Sequence, residues 1–297
     1  MSVQEQVSVV ERPVTEVSGA QRRPGWGARY DDGLMGVILL AGPANIVMQL
    51  AVPGVGYGVK ESRVHGGRVD RHPIKRARTT FTYLAVAMNG TDEQKAHFRR
   101  AVNRAHAQVY STEESPVQYH AMDKDLQMWV AACLYKGSVD VHRMFIGEMD
   151  EATAEAHYRR GMTLGTTLQV PAEMWPKDRA AFDEYWNRML ERVHIDDAVR
   201  DYLMPIVSGN PGRFRLPGPL QGMHESLAIF ITTGFLPQRF RDEMKLPWDA
   251  GRERRFRQLM AALRTGNNLL PSVLRKFPFN VLLKDLDWRV RTGRPLA

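Results

Sequence analysis

The chain has 297 residues, 43% apolar and 25% charged, which is ordinary for a globular protein and enough for one large domain or two small ones. Its net charge is +8, but the basic residues are scattered apart from Arg71–Arg78 and Arg252–Arg257, and no zinc-finger, helix-turn-helix or RNP pattern accompanies them, so nucleic acid is not an expected partner. The single cysteine, Cys133, excludes an internal disulfide and reads as a small buried hydrophobe in the run Trp129-Val130-Ala131-Ala132-Cys133-Leu134.

Residues 1–30 carry no helical period and read as a flexible arm, leaving a single domain over 31–297. The amino terminus has no basic flank followed by an apolar segment, so the expected location is cytoplasmic. Gly33 to Val59 is the most apolar stretch. Pro43, Asn45, Gln49 and Pro53 interrupt it, which fits a buried helix from Leu34 to about Ala51 and a turn at Pro53-Gly54 better than a spanning helix. Peripheral membrane contact is the second reading of that stretch.

Next comes a helix with Ala77, Phe81, Leu84, Ala85 and Met88 on its buried face. Thr91 followed by Gln94 is a capping box, with Asp92 and Glu93 placing negative charge at the positive end of a helix. Phe98, Ala101, Val102, Ala105 and Val109 then recur at helical spacing, and His106 falls on the same side. Further helices are expected from about Asp123 to Tyr135, Glu151 to Leu164, Lys177 to His194 and Asp196 to Tyr202. Five more follow: Gln221 to Thr233, Pro237 to Met244, Ala250 to Leu263, Pro271 to Lys276 and Phe279 to Trp288. No segment alternates strictly enough for a half-buried strand, and 208–219 reads as a long loop. The expected class is all-α.

An imidazole facing a core must be hydrogen-bonded there or coordinate a metal, and a satisfied core histidine is the ordinary explanation. Arg76 and Thr80 are helical neighbours; a surface charge, or a pair with Asp70, is the plain reading of Arg76. The remaining histidines form no HExxH or two-His-one-carboxylate spacing, so a non-haem metal site around His224 and Glu225 is the fallback. Serine-nucleophile elbows, P-loops and Rossmann glycine runs are absent.

The segments Arg76-Ala77-Arg78-Thr79-Thr80-Phe81-Thr82-Tyr83, Asn89-Gly90-Thr91, the His106 helix, and Tyr119-His120-Ala121-Met122-Asp123 with Leu126 and Trp129 occur in that order. This order resembles the MpaB/latex-clearing-protein (rubber oxygenase) catalytic-domain family, over roughly Leu34 to Trp288. The resemblance implies a single helical domain with a globin-like haem-holding core, and a b-type haem whose iron takes His106 as axial ligand. It implies that Arg76 and Thr80 contact the haem or bound oxygen, with Tyr119 beside the cofactor and Thr79 in the catalytic group. Thr79 stands where rubber oxygenases carry a lysine, so lysine capping of the iron is not expected. Glu61 lies near the family's carboxylate base, and His120 departs from the usual residue. The implied function is a haem b-dependent oxygenase that uses O2 to oxidise or cleave a hydrophobic, unsaturated isoprenoid- or lipid-like substrate. A haem-binding sensor or carrier without turnover is the alternative, and a cofactor-free helical structural protein is a third reading.

Overall fold

The computed structural model describes residues 36–64, 73–212 and 216–294. The expected arm, His65, Asp70 and His72 lie outside the described residues. Among the described residues there is no strand, only an isolated bridge between Tyr110 and His120, so the all-α reading holds.

A 3₁₀ turn, Gly36–Ala41, leads into α1 (Gly42–Leu50). The expected turn at Pro53-Gly54 falls two residues earlier, at Ala51-Val52, because Pro53 starts a new helix, α2 (Pro53–Lys60). Proline suits that position, since its missing N–H would have no intrahelical partner there. Helix α3 (Pro73–Asn89) is followed by α4 (Asp92–His106), whose capping box forms as expected: Gln94 N–H donates to Thr91 Oγ1 at 3.2 Å, and Thr91 N–H donates to Gln94 Oε1 at 2.8 Å. Removing this cap by Thr91→Ala is expected to cost about 1 kcal/mol. Thermal unfolding monitored by circular dichroism should then fall by about 2–4 °C; an unchanged midpoint would mean that the packing of α4 alone holds its first turn.

Helix α4 ends at His106 instead of running to Val109. The following chain is drawn off by tertiary pairing: Ala121 N–H donates to Val109 O at 2.8 Å and Ser111 N–H to Tyr119 O at 2.9 Å. Asp123 caps α5 (Lys124–Phe145), its Oδ1 accepting from the N–H groups of Asp125 and Leu126 at 2.8 and 3.2 Å. This helix runs ten residues past its expected end because its later turns are also buried, at Gly137, Val141 and Phe145. The helix expected from Glu151 to Leu164 divides at Met162 into α6 (Glu151–Gly161) and α7 (Thr163–Thr166). At Gly161 a Cβ would come within 2.6 Å of Tyr135 Cδ2, so only glycine lets α6 lie this close to α5.

Helices α8 (Arg179–Glu191) and α9 (Asp197–Val207) are capped by Asp178 and Asp196. Helix α10 (Pro219–Phe235) and α11 (Gln238–Glu243) lead to α12 (Ala250–Leu269), capped by Asp249, and then to α13 (Ser272–Arg275) and α14 (Phe279–Thr292). Helix α5 forms the axis, touching α1, α7 and α12, while α14 packs along α3. Trp129 on α5 is fully buried, stacks on Trp186 with centroids 5.1 Å apart, and donates its indole N–H to Gln49 O at 3.1 Å.

No single described helix is long and apolar enough to cross a membrane. The pair Gly36–Leu50 and Pro53–Lys60 has the composition but bends by 110°, and its Ala44, Val47, Met48 and Leu50 belong to the main core. The described part of this apolar stretch, residues 36–59, is thus built into the core. The globin-like arrangement does not follow from these helix contacts: the imidazole expected to face the core comes from the end of a helix that carries only two fully buried residues, Phe98 and Ala101.

Candidate active site around His106

Two apolar cavities adjoin one another in the core. The first, about 190 Å³, is lined by His106, Tyr119, Gly54, Gly58, Leu126 and Val130 among others. The second, about 390 Å³, is bounded by Thr80, Phe81, Met88, Leu134 and Tyr202 together with Ile38 and Leu39 of the 3₁₀ turn. Arg76, Gln49, Val59 and Leu164 line both, forming the wall between them. Glycine makes the first cavity's wall thin: at Gly58 a Cβ would lie 3.3 Å from the Tyr119 ring.

His106 lines the smaller cavity from the last turn of α4, and its Nδ1 is buried with no hydrogen-bond partner. Such a nitrogen costs about 1–3 kcal/mol unless something else engages it. Burial, reinforced by the charge of Arg76 and by His120, pulls its pKa from 6.5 to about 4. The ring is therefore neutral across the physiological range, which is the form in which imidazole binds metal.

Arg76 is the second anomaly. It borders both cavities, and among the described residues it makes no ion pair or hydrogen bond. Burial depresses the guanidinium pKa from its ordinary value, and Tyr202 acts in the opposite direction. A delocalised cation held in apolar surroundings is a receptor for an anionic group.

Tyr119 is buried on the first cavity, and its hydroxyl donates to Glu61 Oε2 at 2.8 Å; Ser115 Oγ donates to the same oxygen at 2.7 Å. Burial first, then the bond to Glu61, raises the phenol pKa. The structure therefore brings Glu61 to the rim of the site through Tyr119, 58 residues away in sequence. Thr80 reaches the second cavity. Thr79 does not line either one; its hydroxyl donates back to Lys75 O at 3.0 Å. His120 is exposed, accepts from Met122 N–H at 3.0 Å and stacks on Tyr110.

Polar groups that periodicity did not single out also shape the site. Gln49 donates from Nε2 to Asn45 Oδ1 at 2.7 Å, and Gln127 donates to Ala121 O at 2.8 Å and to Gln169 Oε1 at 2.7 Å. Gln49 was visible only as a polar interruption of an apolar run. The fallback around His224 is not supported: among the described residues no three His, Cys, Asp or Glu side chains gather to hold a metal, and the ring of His224 bonds Gly209 O at 3.1 Å.

A second buried imidazole, His157, lies 2.8 Å from Ser138 Oγ and has its pKa pulled to about 4 by burial, His142 and Arg160. In the unfolded chain both rings take up protons near pH 6.5, and in the folded one near pH 4. The unfolded state holds more protons between those values, so stability falls as pH drops through that window. The urea midpoint should decline from pH 6.5 towards 4, and less steeply in His157→Gln; parallel curves would show that the buried ring exchanges protons freely.

Among the described residues the fold is all-helical, and its apolar cavities carry an imidazole nitrogen and a guanidinium that no other described group pairs. Residues 31–265 match the model of the family described as ER-bound oxygenase mpaB/B'/rubber oxygenase, catalytic domain, and the chain belongs to that family. It is thus built on an oxygenase catalytic domain, with a small molecule and O2 as its reactants. The chain is similar to two uncharacterized proteins, one from Mycobacterium bovis and one from Mycobacterium tuberculosis. Each is 50% identical over 259 residues, covering 87% of this chain and all of the relative. No solved structure matches it.

Proposed function

We propose that the protein is a haem b-dependent oxygenase acting on a hydrophobic, unsaturated substrate of isoprenoid or lipid type. One observation carries the reading: His106, neutral and lining an apolar cavity, has a buried ring nitrogen with no partner. The residues present fit the group, since a porphyrin asks for a neutral imidazole, an apolar slot and a cation for its carboxylates. His106 would hold the haem iron, and Arg76 would be the cationic partner of a propionate or of a polar substrate end. When bound, the haem would supply the iron at which dioxygen is activated.

The chain's own residues supply the rest. Val55, Val109, Leu126 and Leu168 exclude water from the smaller cavity, which strengthens every polar interaction inside it. Thr80 offers a hydroxyl on the far side of Arg76, where the larger chamber is wide enough to orient an apolar chain. Tyr119 keeps its proton, donated to Glu61, so that pair holds a proton at the cavity wall. Thr79, tied to Lys75 O, receives no catalytic role in this reading.

The test is to supply the haem-loaded protein with a polyisoprenoid and with an unsaturated fatty acid under isotopically labelled dioxygen. Labelled carbonyl or hydroxyl products are expected. Spectral changes on ligand binding without any product would assign a sensor or carrier instead, and protein free of iron after expression with haem precursor would remove haem from the account.

A further inference from the structure

From Arg254 to Lys284 every charged residue is Lys or Arg. The same stretch carries several strongly exposed large apolar side chains: Leu269 is 81% exposed, Val273 67% and Phe277 58%. Helix α14 carries Asp285 and Asp287, but its exposed side is apolar and basic. It buries Phe279, Leu282 and Leu286, while Val281, Lys284, Trp288 and Arg291 are exposed at i, i+3, i+7 and i+10, one face of a helix. The Arg294 guanidinium lies over the Trp288 ring, 4.3 Å from its centroid.

Beside this face, α4 and α14 frame a cleft lined by His97, Arg100, Arg104, Arg289 and Arg294. Arg289 is paired with Asp285 at 2.7 Å, whereas Arg100 and Arg104 make no ion pair among the described residues. Contiguous apolar surface edged by unpaired cations and an interfacial tryptophan is the pattern of proteins that lie on a bilayer. Apolar side chains gain by entering the acyl boundary, and the cations gain from the negative surface potential. A second copy suits the face poorly, because it would set like charges against each other.

We propose that the surface formed by the α13 turn, the outer face of α14 and the α4–α14 cleft docks on an anionic lipid bilayer. Val273, Leu274 and Phe277 enter the acyl boundary, and Arg100, Arg104 and Arg294 meet the phosphates. Most of this surface lies beyond residue 265, where the family match ends. It also adjoins the chamber: α13 packs on the 3₁₀ turn whose Ile38 and Leu39 line the larger cavity, so a docked molecule sets that wall near the lipid.

Flotation of the full-length protein with vesicles of phosphatidylcholine, with and without phosphatidylserine, tests this. Binding is expected only with phosphatidylserine, and weakening as salt is raised. Arg100→Glu with Arg294→Glu should lower the partition at least about tenfold, and so should Val273→Ser with Phe277→Ser, with unfolding temperatures unchanged because all four side chains are at the surface. The proposal is overturned if wild type does not float, if both lipids bind equally, or if either double variant binds as wild type. It is overturned equally if sedimentation shows a dimer that Val273→Ser with Phe277→Ser dissociates, or if wild-type protein floats only after residues 1–35 are removed.

Discussion

Replacing His106 with alanine is expected to abolish the Soret band of protein produced with ample haem precursor, while leaving the helical fold intact. The two halves of this result have separate causes. Losing the partner of a ligating imidazole already costs about 10–100-fold in metal affinity, so losing the ligand itself should cost at least about 100-fold. Stability should move little. The substitution opens a small void beside an existing cavity, but it also removes a buried nitrogen that no protein group satisfies. Removing such a nitrogen recovers roughly 1–3 kcal/mol. A haem titration followed by absorbance, with circular dichroism on the same samples, separates the two. An unchanged spectrum in the variant would remove His106 from the iron, and a collapse of helical signal would make the ring a structural core residue.

Arg76→Met is expected to stabilise the ligand-free protein and to abolish its oxygenase activity. The guanidinium borders two apolar cavities, and among the described residues no counter-charge compensates its desolvation. Replacing buried charge by an apolar side chain of similar length often gains roughly 1–4 kcal/mol. Each kcal/mol raises the unfolding temperature by about 2–4 °C in a chain of this class. Arg76→Lys should keep the charge but lose the forked donor geometry, giving weakened cofactor retention without the gain in stability. A lowered unfolding temperature in Arg76→Met would show that the arginine has a structural partner, and its role as a receptor for an anion would fall. Stability gained and activity lost at one residue is the trade expected where a site is held against the preference of the fold.

Local signals were legible in the chain. Thr91 with Gln94 marked a helix start, and the structure shows the aspartates at 123, 178, 196 and 249 doing the same, because a side chain two or three residues from an unpaired N–H satisfies it within one turn. Helix ends were harder to read. The end of α4 at His106 depends on the bonds Ala121 N–H to Val109 O and Ser111 N–H to Tyr119 O, and the length of α5 depends on what its later turns bury. The turn before α2 was misplaced by two residues because Pro53 reads equally as a turn residue and as a first helical residue.

The sequence by itself determined the helical class and the capped start of the His106 helix, since these follow from spacing within a few turns, whereas the choice of His106 among the histidines rested on the order of motifs that resembles the family. Only the tertiary structure decided that the imidazole hangs from a helix end, that Arg76 stands as a wall between two chambers, that Tyr119 meets Glu61, and that Thr79 turns back on its own helix. The physical reason is range. Capping and periodicity act over three to four residues, whereas desolvation and pairing at the site are set by segments 30 to 80 residues apart, whose approach is governed by how whole helices pack.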